Sequence, residues 1–347
     1  MNDDAVAPGS TPAPAVERER GWWRLTAALA LLLFVPVFPG LRLLLPVEHS
    51  LALIAPALAA CALAGWWAGG RAGLAVMWTA IAAWVVSREA TLGQFDVLVT
   101  GWALVLAAAF GALALRRSAA STPFFSRAVT AIALSLALSG GVMMLVPGGP
   151  VAVREAVGTE FGRRAADALK DWREMTGRPE WKEFVIANPS ADSLAQQMDA
   201  QIQATPEASQ GLFPAMLALE SLAALALAWA LYHRVGRARI GPALADLREF
   251  RFSDQLVWGF VTGLALVVVP GFAPLRMVGA NLLMFFGAIY ALRGMGVALH
   301  FLAPGRWMMV MLAAFTLLFY NVVGVLALGL GLGDTWLDWR RRARPKT

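Results

Sequence analysis

The chain has 347 residues, of which 59% are hydrophobic and 15% are charged, with a formal net charge of +6 and a mean hydropathy of +0.61. A soluble globular protein cannot keep so much apolar surface away from water, so the composition excludes an ordinary soluble domain. The basic balance does not indicate a nucleic-acid partner, because the arginines cluster at the ends of apolar runs, as in membrane proteins. The composition therefore predicts an integral membrane protein whose first partner is the lipid bilayer.

The chain begins with a polar, proline-containing segment (1–20) that lacks the apolar residues needed to order itself, and we predict a disordered tail there. Its acidic start is unlike a cleavable signal peptide, so we expect the first apolar run to be retained. Apolar runs close to the ~20 residues that a spanning helix needs then recur along the chain. We predict spans at 22–41, 51–70, 73–87, 97–115, 128–146, 212–232, 255–273, 276–302 and 307–331.

These runs predict an all-α protein, a polytopic transmembrane helical bundle of about eight to nine spans with a helical extramembrane insertion. The span 73–87 is the weakest, and a tight glycine turn at Gly69 and Gly70 connects it to the span before it. Small residues recur in the eighth span, where they predict a close-packed helix crossing around Gly287 and Gly294. The predicted regions are 1–20 (tail), 21–146 (five helices), 147–211 (insertion), 212–332 (four helices) and 333–347 (basic tail).

The insertion at 147–211 is the one large hydrophilic region, with seven Lys or Arg and ten Asp or Glu residues. Val157, Phe161 and Trp172 follow helical spacing, as do Met198 and Ile202 further on, which predicts two amphipathic helices. We expect Gly177 and Pro179 to end the first of these helices and Pro206 to end the second. Such helices lie on the membrane surface or cap the bundle; a gate or a partner-binding lid is the alternative.

Arginines near the span ends predict the orientation, because cytoplasmic loops carry an excess of Lys and Arg. Segments 18–24, 116–127 and 234–251 then face the cytoplasm, and 147–211 faces the periplasm. Nine full crossings would put the basic tail from Arg340 to Lys346 outside. We therefore expect one of the last three spans to be re-entrant or to consist of two half-helices.

No motif for catalysis or cofactor binding is present in the sequence. The histidines at 49, 233 and 300 are remote from one another and lack the spacing of a metal site, and Cys61 is the only cysteine. Neither a phosphate-binding glycine loop followed by Lys-Ser/Thr nor a Gly-x-Ser-x-Gly nucleophile motif occurs. We predict a protein that is not an enzyme and that has no metal or cofactor.

Polar residues at membrane depth are the remaining candidates for function, because burying them in hydrocarbon is costly. Four residues qualify, namely Glu220, Asn281, Arg293 and Asn321. Tyr290 joins them as a fifth candidate, because it lies three residues from Arg293 and shares its helix face. Asn281 is rotated away from Arg293 by about 120° at 3.6 residues per turn, so the two need not form one site.

Arg293 is the strongest of these candidates and allows three interpretations. It lies nine residues before the end of its predicted helix, about 13 Å along the axis. It could contact a ligand or ion, pair structurally with Glu220, or lie at a shallower depth at a helix break by Gly294 and Gly296.

The C-terminal half resembles a known family. The residues that carry the resemblance are Asn281-Leu-Leu, Tyr290-Ala-Leu-Arg-Gly294 and the ending Leu332-Gly-Asp334-Thr-Trp336-Leu-Asp338-Trp-Arg340. They are similar to the YybS-like predicted membrane proteins, DUF2232. That family also looks distantly like the substrate-binding S components of energy-coupling-factor transporters, which implies a ligand-binding helical bundle.

Two functions follow as expectations, and a membrane enzyme ranks third behind them. One is binding of a small molecule within the bundle as a transport component, at Arg293, Tyr290, Asn281, Glu220 and Asn321. The other is a non-transporting scaffold or assembly factor that binds another protein through 147–211. The high arginine and alanine content is typical of high-GC bacteria, so we expect a multi-pass protein of the bacterial inner membrane.

Overall fold

The computed structural model describes residues 21–34, 47–89, 93–116, 121–188 and 190–342. Within these ranges every regular element is helical, as predicted. The helices are α1 (Trp22–Phe34), α2 (Val47–Trp67), α3 (Ala72–Glu89), α4 (Gln94–Ala114), α5 (Phe124–Leu145), α6 (Gly149–Thr176), α7 (Pro179–Ala187), α8 (Ser190–Val235), α9 (Val257–Val268), α10 (Arg276–Leu302), α11 (Arg306–Leu318), α12 (Tyr320–Leu337) and α13 (Trp339–Arg342). The predicted tail 1–20, the end of the first predicted span and 343–347 lie outside the described residues.

The predicted count of eight or nine spans is not confirmed. In the described part of the chain five helices are long and apolar enough to cross a bilayer, and a sixth crossing results if α11 and α12 form one span. The helices at 72–88 and 254–268 are apolar but shorter. The first predicted span, 22–41, is described only as far as Phe34.

The last predicted span, 307–331, is divided into α11 and α12, whose axes are bent by 108°. The break lies at Phe319, which has non-helical backbone angles (φ −118°, ψ 37°). This matches the expectation that one of the last three spans is re-entrant or consists of two half-helices. Within the region 333–347 that we predicted as a basic tail, α12 continues to Leu337 and Arg340 of α13 is buried.

Helix α8 is the longest element, with 46 residues from Ser190 to Val235. At 1.5 Å per residue it is about 69 Å long, more than twice the ~30 Å hydrocarbon thickness of a bilayer. The expectation that Pro206 ends an amphipathic helix is therefore wrong. The helix continues through both Pro206 and Pro214 and joins the insertion directly to the bundle. We refer to residues 149–211 (α6, α7 and the first part of α8) as the hydrophilic lobe.

The core of the bundle forms where α2, α4, α5 and α8 meet. Trp229 of α8 is fully buried there and packs edge-on against Phe110, with a centroid distance of 5.9 Å. Trp102 is also buried, and its indole N–H donates to the Ser221 hydroxyl at 2.8 Å. Both tryptophans lie near the ends of predicted spans, where an indole ring often anchors a helix at the membrane surface. Their rings fill the protein core instead.

Glycines allow the backbones to approach closely at two places that matter for the bundle. Gly69 has a positive φ of 88° in the turn between α2 and α3, as the predicted hairpin requires. Gly294 of α10 faces the Ala327 carbonyl of α12, and Gly331 of α12 faces the Tyr290 carbonyl. A side chain at either position of this crossing would collide with backbone, so the predicted small-residue seam is present at Gly294.

Candidate functional site

Arg293 lies in α10, and protein groups accept three hydrogen bonds from its guanidinium. Its Nε donates to Asp334 Oδ2 at 3.0 Å, and its Nη2 donates to the Asp334 carbonyl at 3.3 Å. Its Nη1 donates to Asp254 Oδ1 at 2.9 Å. The Arg293 side chain is 4% exposed, so this charge is buried and is neutralised within the protein.

Asp334 of α12 is shared by two arginines. Arg340 Nη2 donates to the same Asp334 Oδ2 at 2.7 Å, and the Asp334 side chain is fully buried. Arg340 Nη1 also donates to the carbonyls of Arg248 and Phe250, at 3.0 and 3.1 Å. Arg340 thereby joins α13 to the segment between α8 and α9. We call Arg293, Asp334, Arg340 and Asp254 the arginine–aspartate cluster.

Aromatic rings close the cluster on one side. The Arg293 guanidinium lies 5.3 Å from the centroid of the Phe252 ring, a favourable cation–π distance. Phe252 in turn packs edge-on against Tyr290, with a centroid distance of 5.0 Å. The structure therefore brings the predicted residues Arg293 and Tyr290 into one neighbourhood, as their spacing along the helix predicted.

The structure contradicts the pairing of Arg293 with Glu220 and the helix break by Gly294 and Gly296. Arg293 does not pair with Glu220, because its ion pairs go to Asp334 and Asp254. No helix break lies beside it, because α10 continues through Gly294 and Gly296 to Leu302. Arg293 nevertheless lies near one end of the bundle. Asp254, which reaches it, is 65% exposed and immediately precedes α9.

The other predicted ligand residues lie elsewhere. Glu220 of α8 accepts a hydrogen bond from the Ser50 hydroxyl of α2 at 3.0 Å. Asn321 is exposed near the start of α12. Neither residue is joined to Arg293 by any hydrogen bond or ion pair found among the described residues. The five predicted residues therefore do not form one site.

Asn281 of α10 has a structural role that the sequence did not reveal. Pro214 cannot donate a backbone hydrogen bond and disturbs the ladder of α8 at this turn. The Asn281 carboxamide fills the gap: its Oδ1 accepts from the Ala215 N–H at 2.9 Å, and its Nδ2 donates to the Gly211 carbonyl at 2.8 Å. Without the proline, these two backbone groups would be each other's i→i−4 partners. Asn281 therefore replaces a helical hydrogen bond and joins α10 to α8.

The hydrophilic lobe is fixed to the bundle by a cluster of aromatic rings. Phe95 of α4, Phe161 of α6 and Phe213 of α8 are mutual neighbours, with centroid distances from 5.5 to 6.3 Å. The Arg164 guanidinium lies 5.1 Å from the ring centroids of both Phe95 and Phe161. These contacts confirm the amphipathic face predicted for the first helix of the insertion, and they fix its position against two bundle helices.

Glu160 supports this attachment. Burial by itself would raise the Glu160 pKa, but hydrogen bonds from Arg163 and Arg164 outweigh burial, so the pKa is lowered. The Arg164 Nε donates to Glu160 Oε1 at 2.8 Å, and Arg163 Nη2 donates to the same oxygen at 2.7 Å. Glu160 is therefore ionised at neutral pH and orients the arginine that lies between the two phenylalanine rings.

An open groove of about 680 Å³ lies at the far end of the lobe, between α7 and the first turns of α8. Its lining includes Trp172 and Trp181, whose ring centroids are 5.9 Å apart, and the carboxylates Asp192 and Asp199. Exposed apolar side chains lie in the same part of the lobe; Ile186, which lines the groove, is 81% exposed. A concave surface that combines aromatic and aliphatic side chains with a few charged groups is typical of a binding site.

The sequence interpretation missed two sets of residues. Asp254, Asp334 and Arg340 were assigned to span ends or to the tail, although a buried arginine requires acidic partners. The pairing of Trp172 with Trp181 depends on the turn between α6 and α7. Gly177 and Pro179 predicted where that turn lies, but not the direction in which the next helix leaves it.

Comparison with known proteins gives one match. The model of the family described as "Predicted membrane protein (DUF2232)" matches residues 75–335, which is well over half of the chain. No curated protein and no solved structure matches the chain. The match covers both the arginine–aspartate cluster up to Asp334 and the hydrophilic lobe.

Proposed function

Since the chain belongs to the DUF2232 family of predicted membrane proteins, whose description assigns no activity, we propose that it is a non-transporting scaffold of the bacterial inner membrane that binds a partner through its hydrophilic lobe. The observation that carries the proposal is the open groove lined by Trp172 and Trp181. In this proposal the bundle holds the lobe at the membrane, and the lobe contacts the partner. In this proposal the lobe faces the periplasm and the protein is not an enzyme.

The attachment of the lobe supports a scaffold. A scaffold can hold a partner at a defined position only if its binding surface is rigidly connected to its membrane anchor. Here the connection is a continuous helix, α8, together with the buried contacts of Phe161 and Val157 against the bundle. A flexible loop between two spans would not hold a partner at a defined place relative to the membrane.

The state of Arg293 supports the lobe over the bundle as the contact site. A guanidinium that serves a ligand anion needs at least one donor directed at that anion. In this protein Nε, Nη1 and Nη2 all donate to Asp334 or Asp254. Three of the five guanidinium N–H groups are thus engaged, and two carboxylates already neutralise the charge, so an anionic ligand would have to compete with these carboxylates.

Photo-cross-linking in cells tests the scaffold proposal. A photoreactive amino acid placed at Ile186, in the groove, should give a discrete adduct with one partner protein. The same amino acid at Asp167, which is 65% exposed on the same lobe but does not line the groove, should give none. Equal adduct patterns from both positions, or no adduct from Ile186, would contradict the proposal.

Small-ligand binding within the bundle, as a transport component, is the second candidate. One observation favours it: Asp334 Oδ1 is buried and has no hydrogen-bond partner among the described residues. Native mass spectrometry of the purified protein tests this candidate, because a small molecule that co-purifies with the wild type and is lost in Arg293→Gln would favour it over the scaffold.

A further inference from the structure

The groove of the hydrophilic lobe has the size and shape of a small-molecule site. Its volume of about 680 Å³ falls within the roughly 300–1,000 Å³ of typical ligand pockets. The Trp172 and Trp181 rings meet edge to face at an interplanar angle of 69°, and both rings line the groove. Both tryptophans are half-buried, which holds the rings in place and leaves part of each face accessible.

The charges around this corner favour a positive ligand. Asp192 and Asp199 line the groove together with a single lysine, Lys182, so carboxylates outnumber ammonium groups in the lining. Two glutamine side chains hold the carboxylates in place. Gln196 donates to Asp192 at 3.1 Å and Gln203 donates to Asp199 at 2.7 Å.

Arg173 is the other basic group near the groove, and its Nε lies 3.4 Å from Asp199 Oδ1. It reduces the negative potential at Asp199, whereas no ion pair with Asp192 is found among the described residues. Residues 147–211 contain ten acidic and seven basic side chains. The insertion therefore has a net charge of −3, in a chain whose net charge is +6.

We propose that the groove binds a small organic cation of the alkylammonium class, with the ammonium group against the indole faces and beside Asp192. The face of an aromatic ring carries partial negative charge and attracts cations, and a quaternary ammonium group is the ligand that paired aromatic rings suit best. An anion would meet two ring faces and two carboxylates of the same sign. The inference rests on the proposed role of the lobe as the recognition part of the protein and names what the groove recognises.

Ligand-observed NMR with the full-length protein in a non-ionic detergent tests this proposal. The probes are choline and its neutral isostere 3,3-dimethylbutan-1-ol, which replaces the charged nitrogen by carbon at nearly the same volume. Choline should bind, and the isostere should bind about tenfold more weakly, because only choline gains the cation–π and carboxylate attraction. Equal binding of the two probes, or no binding of choline, would overturn the inference.

Matched variants locate the site. Trp181→Leu and Asp192→Asn should each weaken choline binding by about five- to tenfold. Glu180 lies beside Trp181 on α7 but does not line the groove. Glu180→Gln removes its charge and should leave choline binding unchanged. The melting temperature, reported by a thiol dye on the buried Cys61, checks that each variant is folded. If choline binding is the same in Trp181→Leu, Asp192→Asn and the wild type, the inference is also overturned.

This experiment and the cross-linking experiment fail independently. Selective choline binding without a protein adduct at Ile186 would support the inference and contradict the scaffold. A specific adduct at Ile186 without any preference for choline over its isostere would support the scaffold and overturn the inference.

Discussion

In the bundle and in the hydrophilic lobe, acidic residues lie next to arginines in different surroundings. At Asp334 the carboxylate is fully buried between Arg293 and Arg340, and three backbone carbonyls accept the remaining guanidinium hydrogen bonds. Asp199 of the lobe is partly exposed, faces a groove, and has Arg173 at a longer distance of 3.4 Å. In the bundle the charges bind each other and fix helices, whereas in the lobe they remain accessible to a partner.

The difference shows how to separate structural from functional charges in a membrane protein. Buried charges at the end of a bundle are costly, and the ion pairs of Asp334 with Arg293 and Arg340 are explained by the need to neutralise them. Exposed charges around an apolar groove have no such requirement. Water would solvate these charges equally well at any other place on the surface. Their placement around the groove is therefore informative about function.

The largest expected effect is at Asp334. Asp334→Asn leaves two buried guanidinium groups without their shared counter-charge, which should cost about 3–5 kcal/mol of stability. Asp254→Asn removes a carboxylate from the same arginine at an exposed position and should cost no more than about 1 kcal/mol. Thermal unfolding in detergent, followed through labelling of the buried Cys61, should therefore separate the two variants clearly. Similar melting temperatures would show that burial does not distinguish these two carboxylates.

The second effect concerns the join between the lobe helix and the bundle. Asn281→Ala leaves the Ala215 N–H and the Gly211 carbonyl without their partner, and each such group costs about 1–3 kcal/mol. Pro214→Ala allows these two backbone groups to bond to each other again. Asn281→Ala should therefore cost less in the Pro214→Ala background than in the wild type. An equal loss of melting temperature in both backgrounds would contradict the role given to Asn281.

The third effect concerns the crossing of α10 and α12, which places Asp334 beside Arg293. Gly294→Ala puts a methyl group against the Ala327 carbonyl, so the backbones must move apart at a cost of about 1–3 kcal/mol. Gly329→Ala, on α12, meets no atom within 4 Å and serves as the control. The melting temperature should fall for the first variant only. A loss of the same size for Gly329→Ala would mean that helix glycines matter here for reasons other than the crossing.

The smallest effect is at the attachment of the lobe. The pKa of Glu160 is lowered by its arginine hydrogen bonds, so the ionised carboxylate contributes stability above its ordinary pKa of 4.5. This contribution disappears as the pH falls through the lowered pKa. Glu160→Gln should therefore unfold about 1 kcal/mol more easily than the wild type at pH 7, and this difference should vanish at pH values below the lowered pKa. A difference that is independent of pH would show that the ionisation of Glu160 is not its cause.

Much of the architecture could be predicted from the sequence. Apolar length predicted an all-helical membrane protein, and the spacing of Val157 and Phe161 predicted the helix face that attaches the lobe. The span count is not confirmed, because within the described residues α3 and α9 have the composition of a span without its length. Pro206 was expected to end a helix because a proline interrupts the local hydrogen bonds, but packing of α8 against its neighbours keeps the helix continuous.

The sites were harder to predict, because their residues come from distant parts of the chain. Arg293 was identified by the cost of burying a charge, and Tyr290 by helical spacing. Asp334, which lies 41 positions away, is brought to Arg293 by the bend between α11 and α12 and by the glycine crossing. Neither feature is encoded in a local pattern. Glu220 was an acceptable partner for Arg293 because both residues lie well inside predicted spans. Only the three-dimensional structure shows that Glu220 accepts a hydrogen bond from Ser50 instead.

The most direct test of the account is a pair of double-mutant cycles on Arg293, measured as melting temperatures and unfolding free energies of the purified protein. The first cycle combines Arg293→Gln with Asp334→Asn, and the second combines Arg293→Gln with Glu220→Gln. The account predicts a coupling of more than about 1 kcal/mol between Arg293 and Asp334, as for residues in one buried network, and additive effects for Arg293 and Glu220. Additive effects for Arg293 and Asp334 would contradict the claim that the bundle uses this arginine for structure.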